Sequence, residues 1–464
     1  MSPRTLRPDG EVTRRDQDFP RRLALIFLVG FLLRVAYVLL VERGSPLSGD
    51  GIYYHEAANL LADGLGFTEP YRYLHGGAQE YLFIDDPSLI TATANTALPV
   101  GHVEPTAGHP PLWVLILGLS SLLGITSELG HQLVSACVGV AGIVLLGLLG
   151  REVGGERCGL LAGAFAAGYA FLWLNDGSIM SESLVVALVA ASTLVALRLR
   201  EDDGPRSVVL FGLLAGLAAL TRVELILFLP FAVVPMVVDR GRPPAERLRR
   251  VATVGIVALL VMSPWLVRNL SRFEEPVFLS NGSGVLLAQT NCDATYYGDK
   301  VGSWEHLCVL PQPLGDDGRT LDESERDAAW RQRGLDYASA HKGRLIGHVV
   351  PRRIARLWAV HDPIEQLRAD VIVEGRHFRA SVIGLVQYTL LVPAAIAGAF
   401  LLRRRRRPLL PLLAWPAIVT FVAALTMGTT RYRVSAEVVI VVLAAVAVDS
   451  LVDRRRERTT DSPG

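Results

Sequence analysis

The sequence predicts an all-α polytopic membrane protein, and three observations predict it. Of 464 residues, 51% are hydrophobic and the mean hydropathy is +0.36, a balance that soluble domains rarely show. Apolar runs of bilayer-spanning or near-spanning length recur along the chain. Arginines gather at the ends of those runs. The net charge of +1 gives no reason to expect nucleic acid as a partner.

Residues 1–21 are polar and Arg-bearing and are expected to form a disordered cytoplasmic N-terminus. The run 22–42 is long enough to span and lacks a small-residue cleavage pattern, so it reads as a retained anchor. Further runs cover 109–124, 129–150, 159–174, 183–199, 207–221, 223–238, 251–267, 381–402, 408–427 and 434–451. Basic groups flank them: Arg4 to Arg22, Arg151 with Arg157, Arg198 to Arg206, Arg240 to Arg250, Arg403 to Arg407, and Arg454 to Arg458. The positive-inside rule places all of these in the cytoplasm. They can share that side if one run does not cross. The run 109–124 opens with His109-Pro110-Pro111 and would reach roughly 24 Å, short of a core of about 30 Å. Read as a half-inserted helix, it leaves about ten transmembrane helices. Both termini are then cytoplasmic, in a bacterial inner membrane. If it crossed, Arg403 to Arg407 would lie outside.

Two long segments fall on the outer side, 43–108 and 268–380. In 51–63, helical spacing puts Tyr54, Ala57, Ala58 and Leu61 on one face, as in a helix lying along the membrane surface. The second segment holds a soluble-looking part, 290–335, and a stretch, 345–360, where Arg352, Arg353 and Arg356 alternate with Ile354, Leu357 and Trp358, which suits an interfacial helix. Cys292 and Cys308 enclose a short loop where oxidation can occur, so a disulfide is expected, stabilising by roughly 3 kcal/mol. Cys137 and Cys158 read as packing residues. The chain thus divides into 22–267, a transmembrane module carrying the outer loop 43–108; the outer segment 268–380; the helices of 381–451; and a cytoplasmic tail, 452–464.

Polar residues at the mouths of the apolar runs are the candidates for chemistry. Asp50 follows the first run; it can act as a general base or as the N-cap of the helix over 51–63. Glu182 opens the run 183–199 on the same side, where it can share a site with Asp50 or serve the helix dipole. Arg222, the sole basic residue between 207 and 238, sits between two short apolar runs; it suits a phosphate, with Glu224 as a salt-bridge alternative. His109 can touch substrate, orient a carboxylate such as Glu104, or cap. Arg268, Arg431 and Arg433 stand on the outer side, against the usual bias, which favours an anionic ligand. No zinc-type ligand spacing and no nucleotide-binding Gly-rich loop is present, so no metal or cofactor is expected and a lipid-linked donor is favoured over a nucleotide sugar. The pair Asp85-Asp86 reads as a turn.

Several short motifs, in order, resemble those of the GT-C glycosyltransferases, in the branch of the protein O-mannosyltransferases and aminoarabinose transferases. They are Gly49-Asp50 with Tyr53, Tyr54 and Ala57-Ala58, then Gly64 to Phe67; His109-Pro110-Pro111-Leu112; Met180-Ser181-Glu182-Ser183-Leu184; Leu220-Thr221-Arg222; Pro264-Trp265-Leu266-Val267-Arg268-Asn269; and Arg431-Tyr432-Arg433. The resemblance covers most of 22–451. It implies a GT-C-like bundle and a polyprenyl-phosphate-linked sugar as donor. It also implies an extracytoplasmic glycan, lipid or protein acceptor and inverting transfer. Asp50 would be the catalytic base and Glu182 a second acid. Arg222, Arg268, Arg431, Arg433, His109 and Tyr54 would contact substrate or phosphate. Relatives often carry a second acidic residue beside the first-loop acid; here Gly51 stands there. The alternatives are a lipid or solute transporter, which would show internal repeats and charge pairs within the spans, and a non-catalytic envelope-assembly protein. Neither repeats nor such pairs are apparent in the sequence.

Overall fold

The computed structural model describes residues 14–76, 99–199, 204–239 and 241–460. Residues 1–13 of the expected disordered head, Asp85-Asp86 and the last four residues of the tail lie outside them. Among the described residues the architecture is helical, with two isolated β-bridges. In chain order the main helices are α1 (Arg14–Tyr37), α2 (Gly49–Ala62), α3 (Pro70–His75), α4 (Leu112–Leu122), α5 (Glu128–Gly154), α6 (Glu156–Gly168), α7 (Ala170–Gly177), α8 (Glu182–Arg198), α9 (Pro205–Ala219), α10 (Phe228–Val238), α11 (Pro244–Leu270), α12 (Ser283–Thr290), α13 (Glu323–Ala340), α14 (Val350–Leu357), α15 (Pro363–Val373), α16 (Phe378–Arg404), α17 (Leu410–Leu425) and α18 (Val434–Thr460).

Five stretches among the described residues are long and apolar enough to cross a membrane: Asp18–Glu42, Glu128–Gly154, Pro244–Leu270, Phe378–Arg404 and Thr430–Asp453. A sixth is made by α6 and α7 together, bent by 44° at Tyr169, which adopts an extended conformation. Up to six stretches among the described residues are thus long enough to cross, beside the about ten transmembrane helices expected. The other apolar helices are shorter; α4 has 11 residues, α9 has 15 and α17 has 16. At 1.5 Å per residue these reach roughly 16–24 Å. The region 223–238 starts as a 3₁₀ turn, Val223–Leu227, before α10. Helix α1 begins at Arg14, so the ordered anchor reaches further back than the apolar run alone suggested.

The bundle is built round α18. Val438, Val439, Val441, Val442, Ala444 and Ala445 cover its whole circumference and all are buried, as a helix apolar on every side must be. It packs on α6, α8 and α16, and Gly398 of α16 lets the two backbones approach: a Cβ there would sit 1.9 Å from the Leu443 carbonyl oxygen. One buried ion pair inside this bundle was not apparent in the sequence. Arg34 of α1 bonds the Asp176 carboxylate of α7, both side chains being 1% exposed or less. Ser183 Oγ donates to the other Asp176 oxygen at 2.6 Å. The partners stand 142 positions apart, one of them inside an apolar run, so no local pattern announces the pair.

The two ends of the bundle differ in chemistry. At one end the basic clusters meet: Arg157 with Asp449 and Asp453, Arg198 with Glu152, Arg405 with Ser450, and Arg250 with the Leu199 carbonyl. At the other end lie α2, the start of α8, the end of α9 and the start of α18, beneath the segment 271–377. That segment grips the first outer loop. Arg326 and Arg72 both reach the buried Glu104, at 3.0 and 3.2 Å. Glu323 accepts from the Ala107 N–H and from Asn281 Nδ2, each at 2.9 Å. Two of the three arginines of 345–360 turn inward. Arg353 and Arg356 are buried and donate to the backbone carbonyls of Thr290, Ala424, Val301 and Asp299, tying α14 to the loop above it. Backbone carbonyls left over by irregular loops need such donors, which is why these charges turn inward. Cys292 and Cys308 are joined in a disulfide.

Candidate active site

Helix α2 sets Asp50. Ser48, not Asp50, occupies the N-cap, and Asp50 stands in the first turn with its side chain free to turn towards the bundle. The apolar face read from the sequence is the one that docks. Tyr53, Tyr54, Ala57 and Ala58 are buried against Trp113, Val114 and Leu117 of α4 and against Ile179. Trp113 Nε1 donates to the Ile179 carbonyl at 2.8 Å, which fixes the loop ahead of Glu182. The Leu112 N–H donates to the Leu220 carbonyl at 2.9 Å, which fixes the turn ahead of Arg222.

Arg431 is the hub. Its Nη2 donates to Asp50 Oδ2 at 2.6 Å, its Nε to Glu182 Oε1 at 2.5 Å and its Nη1 to Glu374 Oε2 at 3.0 Å. Each nitrogen of the guanidinium thus meets a carboxylate from a different part of the chain. Arg222 Nη1 reaches the same Glu182 oxygen at 2.7 Å, and its Nε reaches Glu224 at 2.6 Å, so the salt-bridge alternative and the shared site coexist. The Arg222 guanidinium lies 5.2 Å from the centre of the Tyr432 ring. On the far side of Asp50, His109 Nε2 lies 3.6 Å from Oδ1. Its Nδ1 is 3.2 Å from the Tyr54 hydroxyl, and its ring rests against Tyr53 and Tyr54. A proton on Nε2 faces the carboxylate and leaves Nδ1 to accept from Tyr54. Glu104 is held by Arg72 and Arg326 and is not the carboxylate His109 faces.

Burial drives the Asp50 carboxyl upward, but the charge of Arg431 and then the His109 imidazole outweigh it and hold it well below the usual carboxylate range. Asp50 is therefore ionised at neutral pH. Its side chain is 31% exposed, so this charge is open to a ligand, whereas Glu182 is fully enclosed. Burial, joined by the charges of Asp50 and Glu182, raises Tyr54, which keeps its proton. Glu374 is pushed up to about 7 by burial, against the pull of Arg431 and Arg376.

Asp50, Tyr54, His109, Glu182, Arg222 and Arg431 thus come together. Arg268 and Arg433 do not join them. Arg268 donates to the carbonyls of Thr106 and Phe67 and lies among the Phe67, Trp265 and Phe273 rings. Arg433 turns into the bundle, bonding Glu437 and the Leu357 carbonyl beneath the Tyr388 ring. Glu374 escaped the sequence reading. Its one local signal is the turn Glu374-Gly375-Arg376 ahead of α16, with Gly375 at φ +62°. Among the described residues no group of three or more His, Cys, Asp or Glu side chains could hold a metal ion.

This geometry can be set beside known proteins. A family model described as dolichyl-phosphate-mannose-protein mannosyltransferase matches residues 108–267. No curated protein matches the chain by sequence. Among solved structures, the oligosaccharyltransferase AglB from Archaeoglobus fulgidus, solved with an inhibitory peptide and a dolichol-phosphate, aligns at TM-score 0.53 and 15% identity over 97% of this chain and 53% of its own. The apo form of the Archaeoglobus fulgidus oligosaccharyltransferase aligns at 0.52 and 14% identity over 98% and 53%. ArnT from Cupriavidus metallidurans, bound to undecaprenyl phosphate, aligns at 0.42 and 15% identity over 93% and 78%. The fold is that of the GT-C glycosyltransferases. The GT-C likeness is to a membrane bundle, and the chain spans about half the length of the oligosaccharyltransferases it matches.

Proposed function

We propose that this GT-C protein is a membrane glycosyltransferase that moves a sugar from a polyprenyl-phosphate donor to an extracytoplasmic acceptor, with inversion, and that Asp50 is its general base. The observation that carries the reading is the ionised, partly exposed Asp50 carboxylate held at the mouth of an apolar bundle by Arg431, which shares Glu182 with a second arginine, Arg222. A carboxylate there takes the acceptor hydroxyl proton. The acceptor oxygen bonds to the anomeric carbon as the carbon–oxygen bond to phosphate breaks, and the bonding pair leaves with the phosphate. The phosphate goes from a singly charged diester to a monoester of higher charge. Arg431 and Arg222 are the cations within reach to stabilise that growth.

Two further features support the reading. A cavity of about 760 Å³ between α5 and α8 is lined by Leu133, Val134, Val138, Leu184 and Ala187. Its lining is apolar and suits a prenyl chain, and Leu184 places it on the same helix that carries Glu182. The sequence suggested a groove beside 207–238 for that role. The basic clusters at the opposite end suit a cytoplasmic face, with the site outside. The Arg34–Asp176 pair, like the buried Arg433–Glu437 pair, is a feature that a transporter reading would cite. It is sealed on both partners and bonded to Ser183, as a structural tie would be.

The test uses the purified protein in liposomes with a panel of polyprenyl-phosphate monosaccharides. Transfer by wild type and its loss in Asp50→Asn, with unchanged donor binding, is the expected result. Undiminished turnover by that variant would remove the base assignment.

A further inference from the structure

Arg431 poses a problem of charge. Three carboxylates already take one N–H from each of its three nitrogens and offset its charge, so a donor phosphate arriving on the two remaining N–H groups must compete with them for the cation. Asp50 is the base of the proposed reaction. Glu182 is shared with Arg222 at 2.7 Å and is fully buried, so it stays paired whatever Arg431 does. Glu374 has neither role. It ends α15, its oxygen is the most distant of the three at 3.0 Å, and Arg431 is the cation it bonds.

The connector that carries it is built for position. Gly375 sits at φ +62°, and a Cβ there would meet the Ser48 N at 3.4 Å and the Pro46 carbonyl oxygen at 3.5 Å. The turn therefore lies on the residues that lead into α2. Beyond it, Arg376 is committed elsewhere. It donates to Asp370 at 3.2 Å and to Asn175 at 2.8 Å, while Thr430, next to Arg431, donates to the same Asp370 oxygen at 2.9 Å. One buried lattice of bonds thus joins the end of α15, the turn and the start of α18.

Resting on the function proposed above, we propose that Glu374 is a positioning residue that holds Arg431 on Asp50 in the donor-free enzyme and takes up one proton when the donor phosphate claims that guanidinium. The proton comes from solvent and no covalent bond changes. The charged groups facing Glu374 are Arg431 from the start of α18, Arg376 and Asp370 from its own connector and helix, and Asp50 from α2; Glu182 of α8 faces it across Arg431. Asp370, Asp50 and Glu182 crowd this space besides Glu374, and burial already brings its proton affinity to about 7, so neutralisation there is easy at working pH. The same event frees the Asp50 carboxylate from its strongest partner, which raises its basicity when the acceptor arrives. Below about 7 the neutral acid does not compete with phosphate for Arg431. Above it, the ionised form does, so donor affinity falls with rising pH.

The experiment measures binding of a polyprenyl methyl phosphodiester, singly charged over the whole range, to the full-length protein in nanodiscs between pH 5.5 and 9. In wild type the proposal expects affinity to fall by about tenfold per pH unit above 7, as one linked proton requires. Glu374→Gln should bind at high pH as wild type does at low pH, and its profile should flatten to within about twofold. If that variant does not fold, Glu374→Asp, which draws the carboxylate back from Arg431, should show a shallower or displaced profile. A wild-type profile in a folded variant overturns the positioning role while leaving the transferase reading intact. Absence of binding by wild type at every pH overturns both.

Discussion

At the end of the bundle where α8 and α18 finish, Arg157 reaches Asp449 and Asp453 and Arg198 reaches Glu152, with 35% and 52% of these two arginine side chains exposed. At the end where the same two helices begin, Arg431 and Arg222 are 10% and 15% exposed and share the enclosed Glu182. The residue types are the same and the physics is opposite. Exposed pairs are solvated whether they form or not, and each contributes little. Enclosed pairs have given up their water and hold only if every partner is present. A chain that needs arginines merely to set its orientation can leave them wet. One that carries them into a closed cluster leaves a single partly open carboxylate at the rim, and the reading proposed above rests on that opening.

Substitutions at the two ends should separate on that basis. The greatest loss is expected from Arg431→Leu, which takes the arginine from Asp50 and Glu374 and leaves Glu182 to Arg222 alone: about 3–5 kcal/mol of stability, read from unfolding in detergent, together with loss of transfer. Next comes Asp50→Asn, which should lower kcat by roughly 10²–10⁴-fold in a single-turnover assay while the protein stays folded. A third substitution sharpens the comparison by testing a buried pair away from the site. Arg34→Met should cost about 3 kcal/mol by leaving Asp176 alone, and the double variant Arg34→Met/Asp176→Leu should recover most of it. If the double variant keeps donor binding, enclosure alone does not mark function; position at the rim does. The least effect is expected from Arg198→Gln, under about 1 kcal/mol. A loss there comparable to that at Arg431 would break the contrast between the ends.

The helices were legible in the sequence because burial against lipid or protein needs continuous apolar runs, and such runs are local. That is why 129–150 appears within α5 and 381–402 within α16. Lengths were less legible. The run 159–174 does not reveal the bend at Tyr169, which depends on packing against distant helices. Within the site, Asp50, Glu182, Arg222 and Arg431 drew notice because each interrupts or borders an apolar run, where charge is costly. Glu374 lies in a segment rich in charge, where one more carboxylate carries no signal. The arginines of 345–360 show the limit of periodicity. Their alternation with apolar residues is real, but the inward face turned out to carry Arg353 and Arg356 to carbonyls at the ends of α12 and α17 and in the loop at Asp299 and Val301, all distant in sequence. Arg268 and Arg431 look alike in sequence, both following an outer boundary; what divides them is whether carbonyls or carboxylates wait nearby, and that is a fact of tertiary structure.

Arg431 binds residues at three widely spaced positions, and it is made after all three of them. Until then Glu182 has Arg222 for a partner, and Asp50 has His109 beside it but no arginine. Synthesis runs from the N-terminus, so the acid that would do the chemistry is made long before the cation that orients it. A ribosome-bound intermediate ending short of residue 431 would hold the acids without the cation that links them, so the order of synthesis leaves this cluster to be closed by the segment that carries Arg431.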